Sequence, residues 1–257
     1  MAAGADLLTG VSTAHKYFQP GEERAERVKA LFARIANRYD FLNDLQSFGL
    51  HRLWKRRLLK MAAPQRGEHA LDVCCGTGDI ALALVQAGME VTGLDFSAQM
   101  LTVAAQRQEM RQAGLLAPIR WVQGDAMSLP FPDASFEIVT IGYGLRNLAD
   151  WQTGLREMWR VARPGGRVLV LDFAKPDFKP WRALYFAYLR CVVPMFGKLF
   201  CGDWQAYSYI LESLKDYPAQ HSVNQALHEL QGEQVQCVAL LGGVMSINYA
   251  RKPILRS

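Results

Sequence analysis

The chain has 257 residues, about half of them apolar and 21% charged, the balance of a soluble globular protein with a large core. No run approaches the ~18 consecutive apolar residues of a membrane span. Five cysteines, odd in number and with Cys74 and Cys75 adjacent, make a poor disulfide framework, and no CxxC pair or His-rich cluster offers zinc spacing, so no metal is expected. The net charge of +5 permits attraction to an anionic partner without choosing one.

Residues 1–22 carry Gly, Ser, Thr and Pro without periodicity and read as a mobile arm. They show no charged n-region followed by an apolar h-region, and a cytoplasmic protein with reduced thiols is expected. Two helices fill residues 23–62. In the first, Val28, Leu31, Phe32, Ile35 and Tyr39 recur at helical spacing; in the second, Leu50, Leu53, Trp54, Leu58 and Met61 oppose Arg52, Lys55, Arg56 and Lys60. Residues 69–173 then alternate strands with helices. His69–Cys75 and Glu90–Asp95 read as strands, each followed by a helix, the second capped by Ser97 and ending near Gly114. Ile119–Asp125, Phe136–Gly142 and Arg167–Phe173 read as further strands, the last preceded by a helix at Trp151–Ala162 and a turn at Arg163-Pro164-Gly165-Gly166. Such alternation predicts a mostly parallel sheet covered by helices on both faces. Residues 174–217 break the pattern and read as an insertion. A helix near Ser222–Leu230 and two strands joined by a short Leu-Gly-Gly turn close the chain (residues 218–252), pairing antiparallel at the sheet edge. The whole is read as one α/β domain with seven strands.

The segment Leu71-Asp72-Val73-Cys74-Cys75-Gly76-Thr77-Gly78 ends a strand and opens a helix, the place where open α/β sheets bind ligands. Gly76 and Gly78 allow positive φ and close backbone approach. Asp95 ends the next strand at the spacing of a ribose-binding acid. Gly76-x-Gly78-x-x-Ala81 also satisfies a loose dinucleotide fingerprint, so an NAD-dependent oxidoreductase is a second reading. Asp72 would face a pyrophosphate unfavourably but suits the amino group of a cationic amino-acid moiety. Asp125 in Gly124-Asp125-Ala126 can meet an adenine amino group, and the closing hairpin suits a class I, Rossmann-like methyltransferase. S-adenosylmethionine is therefore the expected cofactor. After the fourth strand, Gly142-Tyr143-Gly144-Leu145-Arg146-Asn147 lacks the Asn/Asp-Pro-Pro-aromatic motif that grips planar amines. Nucleic acid is thus not the expected substrate.

Tyr39-Asp40-Phe41-Leu42-Asn43-Asp44 and Ser47-Phe48-Gly49-Leu50-His51-Arg52-Leu53-Trp54-Lys55 resemble the N-terminal signature of the quinone C-methyltransferases. Gly144-Leu145-Arg146-Asn147 and Arg160–Gly166 are similar to two further motifs of that family. Ala162-Arg163 stands where Leu-Lys is usual, and Cys74-Cys75 with Tyr143-Gly144 is closer to the naphthoquinone-methylating members. The resemblance implies C-methylation of a prenylated quinol in menaquinone, ubiquinone or phylloquinone biosynthesis, with demethylmenaquinol the favoured acceptor. It implies cofactor contacts from Thr77, Asp95, Asp125 and Ala126. It also places Arg146 and Asn147 against the reacting ring, with Tyr39 and Asp40 closing over it.

Arg146 is not readily deprotonated, so its expected role is to stabilise a developing phenolate and orient a water. The competing reading is a structural pair with an acid such as Asp150. Eleven aromatic residues between Phe173 and Tyr209 read either as packing for the insertion or as a lid over a polyprenyl tail. The basic face of the second helix allows contact with anionic lipid at the membrane's inner face. A non-catalytic scaffold subunit is a third reading; oligomerisation is compatible with all of these.

Overall fold

The computed structural model describes residues 39–111, 117–201, 211, 213–214 and 217–254, with the backbone alone at residues 39–42, 194 and 196–201. The expected arm, most of the first N-terminal helix, Gly114 and the middle of the insertion lie outside the described residues.

The first described helices are α1 (Tyr39–Ser47) and α2 (Leu50–Ala62), joined through Gly49 at φ 75°. From there the chain runs β1 (His69–Val73), α3 (Asp79–Gln86), β2 (Glu90–Asp95), α4 (Ala98–Met110), β3 (Arg120–Gln123) and β4 (Phe136–Gly142). A 3₁₀ turn at Leu145–Asn147 leads into α5 (Trp151–Val161), β5 (Ala162–Phe173), α6 (Lys179–Cys201) and α7 (Ala219–Glu229). The antiparallel pair β6 (Glu233–Leu240) and β7 (Met245–Arg251) closes the sheet.

The seven strands lie in the order β3-β2-β1-β4-β5-β7-β6, the first five parallel. The expected mostly parallel sheet with a final hairpin is what the chain forms. Leu71, Val73, Ile138, Val139, Ile141 and Val168–Leu171 are all essentially solvent-free, because helices cover both faces. The direction of winding reverses between β1 and β4, which opens a crevice beyond their carboxyl ends. The expected turn at Arg163–Gly166 is present as a bulge at the start of β5, with Gly165 at φ 76°, where the register against β4 shifts between Phe136 and Ile138. The Gly165 N–H donates to Lys252 O and the Lys252 N–H donates to Gly166 O, so the residue after β7 pins the turn.

Gly78 caps α3 at φ 83°, and a Cβ there would lie 2.7 Å from the Trp121 ring. Trp121 of β3 also lies where a Cβ at Gly93 would fall, and its indole N–H donates to Gln108 at 2.8 Å. One indole tucked under the start of α3 thus accounts for both glycines. In α6, Tyr185, Leu189 and Val193 are buried while Leu184 and Met195 are exposed. Among the described residues no helix is long and apolar enough to cross a membrane.

Candidate active site

At the winding reversal the loops after β1, β2, β3 and β4 converge on a cleft open to solvent. Cys74 and Gly76 come from the first loop, Asp95, Phe96 and Ser97 from the second, and Gly124, Asp125 and Ala126 from the third. The fourth contributes Gly142, Tyr143, Gly144 and Asn147. Of the expected cofactor residues, Gly76, Asp95, Asp125 and Ala126 therefore share one cavity. Thr77 is buried and Gly78 packs on Trp121; they shape the turn without lining the cleft.

Asp95 organises the upper wall. Its Oδ2 accepts the Gly76 N–H at 2.8 Å and its Oδ1 accepts the Ser97 N–H at 2.9 Å. The carboxylate thus ties the glycine turn to the start of α4, while each oxygen keeps a lone pair for a further donor. Burial raises its pKa, and hydrogen bonds from the backbone of Ser97, Gly76 and Phe96 oppose the rise. Asp125 Oδ1 accepts the Met127 N–H at 2.8 Å. The Asn147 amide donates to Tyr143 O at 3.1 Å. Opposite them, a Cβ at Gly144 would lie 2.5 Å from that of Cys74, so the loops after β1 and β4 meet only because position 144 has no side chain. Burial and the neighbouring carboxylates push the Cys74 and Cys75 thiols well up, which keeps both protonated and inert.

The chain matches the model of the ubiE/COQ5 methyltransferase family over residues 21–252. It is 39% identical over 234 residues to a demethylmenaquinone methyltransferase of Geobacillus sp. (strain WCH70), covering 90% of this chain and 99% of the relative. Similarity to the enzyme of that name from Anoxybacillus flavithermus is 40% over 235 residues, with 90% and 98% covered. The chain belongs to the ubiE/COQ5 methyltransferase family. Among solved structures, a SAM-dependent methyltransferase from Thermotoga maritima superposes with a TM-score of 0.59 at 18% identity, covering 87% of this chain and 99% of that one. A putative S-adenosyl-L-methionine-dependent methyltransferase from Methanococcus maripaludis gives 0.58 at 16% identity, with 88% and 94% covered. These share the fold. The protein is a methyltransferase with S-adenosylmethionine as methyl donor, and the oxidoreductase and scaffold alternatives fall away.

Two expectations about individual residues are revised by the family member's own geometry. Asp72 does not reach the cleft. It is 1% exposed; Thr140 Oγ1 donates to its Oδ1 at 2.8 Å and the Ala81 N–H donates to Oδ2 at 3.2 Å. Register pairs Asp72 with Thr140 directly across β1 and β4, so this carboxyl locks the switch point and the first turn of α3. Burial raises its pKa from 3.8 to about 7, against the Thr140 and Ala81 hydrogen bonds. A raised folded-state pKa stabilises the fold fully below the unfolded value, and that stabilisation is lost as pH rises through the folded one. Chemical denaturation from about pH 4 to about pH 7 should show wild-type stability falling over this window, while Asp72→Asn shows a flatter profile.

Arg146 is likewise not on the cleft wall. Its Nη1 donates to Asp172 Oδ1 at 3.0 Å and to Tyr143 O at 2.6 Å, and its guanidinium lies 4.5 Å from the Phe173 ring centroid. Asp172 Oδ2 accepts the Arg146 backbone N–H at 3.0 Å. A guanidinium only 5% exposed needs a carboxylate partner, and the end of β5 supplies it. Asp150, the acid considered from sequence, instead caps α5 through Gln152 and Thr153. Arg146 therefore holds the 3₁₀ turn that presents Asn147. The Tyr39 and Asp40 side chains lie outside the described residues. Sequence reasoning missed Asp172, whose pairing spans 26 positions, and Ser97 as a lining residue, although its helix-capping position was visible.

Proposed function

We propose that the protein transfers a methyl group from S-adenosylmethionine to a ring carbon of a prenylated naphthoquinol, converting demethylmenaquinol to menaquinol. The observation that carries this reading is near-40% identity, over 98–99% of their length, to relatives named demethylmenaquinone methyltransferases. The cleft is compatible with the donor. A Cβ at Gly76 would meet no protein atom within 4 Å, so the turn leaves room for a ligand against its backbone. Asp95 would hold the ribose hydroxyls, Asp125 with Ala126 the adenine edge, and the apolar flanks of Phe96, Met100 and Met127 the purine faces. Bound there, the cofactor supplies an electrophilic methyl carbon on a positively charged sulfur.

At the other end, Tyr143 and Asn147 would face the acceptor, with Arg146 and Asp172 fixing the loop that carries them. Catalysis then rests largely on proximity and alignment of the ring carbon with the methyl group.

A tailed substrate implies work at a bilayer. Phe48, 73% exposed, packs its ring 6.5 Å from Tyr188 of α6, and Leu53, Leu184 and Met195 add exposed apolar surface. Arg52, Arg56 and Lys60 are exposed along α2 beside Leu53. Apolar groups next to a cationic stripe suit an anionic lipid surface. Methyl transfer to chemically reduced demethylmenaquinol and to a polyprenyl methoxybenzoquinol, run side by side, tests the reading. Preferred turnover of the naphthoquinol supports it; preference for the benzoquinol, or turnover of neither, overturns it.

A further inference from the structure

C-methylation of a quinol by a sulfonium releases one proton, and the groups considered so far are poor acceptors. Arg146 is paired with Asp172, burial pushes the phenols of Tyr185 and Tyr217 well up, and Asp72 is enclosed between Thr140 and Ala81. Among the described residues, His51 is the one buried histidine; its side chain is 4% exposed, whereas His69, His221 and His228 are exposed or half-exposed. His51 Nε2 lies 2.8 Å from Asp44 Oδ1, and Asp44 is held in turn by Arg52 Nε at 2.9 Å and Nη2 at 2.5 Å. Nδ1 is buried without a hydrogen-bond partner among the described residues. A carboxylate on Nε2 selects the tautomer with the proton there, which leaves the Nδ1 lone pair bare.

The placement on α2 relates this nitrogen to the site. Lys55, one turn further along, shares the His51 face of the helix. Its Nζ is 2.6 Å from Asp79 at the start of α3 and 5.7 Å from the ring centroid of Tyr143, a cleft-lining residue. Lys55 thus reaches the carboxyl ends of β1 and β4, and His51 lies one turn before it on the same helix face, behind the residues that line the cleft. Leaving a buried imidazole nitrogen unpaired costs stability, and a base held ready for an incoming hydroxyl is a chemical reason to bear that cost.

We propose that His51, oriented by Asp44, is the group that takes the hydroxyl proton of the quinol. This rests on the naphthoquinol reading above. The O–H bond breaks and its proton passes to Nδ1, while the electron pair moves through the ring into the new carbon–methyl bond. The pair of the breaking carbon–sulfur bond stays on sulfur. The methylated ring carbon then loses its hydrogen as a proton to solvent, and His51 returns the first proton to the oxygen. The net result is a methylated quinol, a neutral thioether and one proton released. Burial lowers the His51 pKa, and Lys55 adds to that; the Asp44 hydrogen bond and charge, with Asp79, oppose it. The ring is consequently neutral, in its basic form, at pH 7.

His51→Gln tests the assignment. Glutamine keeps a donor to Asp44 but places no base at the Nδ1 position, so a merely structural role survives it. The expected result is a kcat lowered about 100-fold or more, with melting temperature and S-adenosylhomocysteine affinity unchanged. The acidic limb of the wild-type pH–kcat profile should also vanish in the variant. A variant kcat within about threefold of wild type, retaining that limb, would overturn the proposal. Nitrogen-15 NMR of the free protein gives an independent reading: the expected signal is a protonated Nε2 with a bare Nδ1, and a proton on Nδ1 refutes the assignment. Absence of wild-type turnover on demethylmenaquinol would count against the substrate reading, while the NMR result still decides the state of His51.

Discussion

Replacing Asp95 by alanine is expected to weaken S-adenosylhomocysteine binding about 100-fold, equivalent to about 2.7 kcal/mol. The side chain does two things at once. It holds the Gly76 and Ser97 amides in place and, in the proposed complex, accepts from the ribose. Each charge-assisted hydrogen bond of this kind contributes about 1.5–3 kcal/mol, and an emptied turn must also be reordered on binding. Asparagine should recover part of the loss, since its single acceptor oxygen can serve one amide. Titration calorimetry on the three proteins measures this directly. An alanine variant that binds within about threefold of wild type would remove Asp95 from the cofactor site.

Arg146→Met should lower the unfolding free energy by about 3–5 kcal/mol, because it leaves the Asp172 carboxylate buried without its cation. Asp172 is 2% exposed at the side chain and also accepts the Arg146 and Phe173 amides, so it cannot turn out to water without undoing the end of β5. Adding Asp172→Asn to Arg146→Met should restore part of the stability, the coupling being about 1–3 kcal/mol in a double-mutant cycle. Urea denaturation supplies all four corners. If Arg146→Met unfolds within about 1 kcal/mol of wild type, the buried pair is not the clamp described here. The outcome also separates two explanations for any loss of turnover, a damaged loop or a missing phenolate partner.

Local pattern carried most of the fold. The strands around Leu71, Leu94, Ile138 and Leu169 are short apolar runs bounded by turn residues, and both Ser97 and the closing hairpin were readable at short range. What escaped was set by distance along the chain. Asp72 looked like a ligand because its partner, Thr140, lies 68 positions away on a strand whose register no local signal reveals. Arg146 met Asp172 for the same reason, although Asp150 was nearer in sequence. The turn at Arg163–Gly166 was readable from composition, but its pairing with Lys252, 86 or more positions on, was not. Gly78 was recognisable as a turn glycine, whereas the Trp121 ring beneath it was not. That Gly76, Asp95, Asp125, Ala126 and Asn147 would share one cleft was legible because each lies at or just beyond a strand end, and strand ends converge by topology alone.

The reaction assigned to this cleft is methylation of carbon. The most direct measurement supplies S-adenosylmethionine carrying a carbon-13 methyl group, with reduced demethylmenaquinol as acceptor, and locates the label in the product by NMR. A ring-bound methyl carbon is the predicted result. Label in a methoxyl group, or no label in the quinol at all, would contradict it.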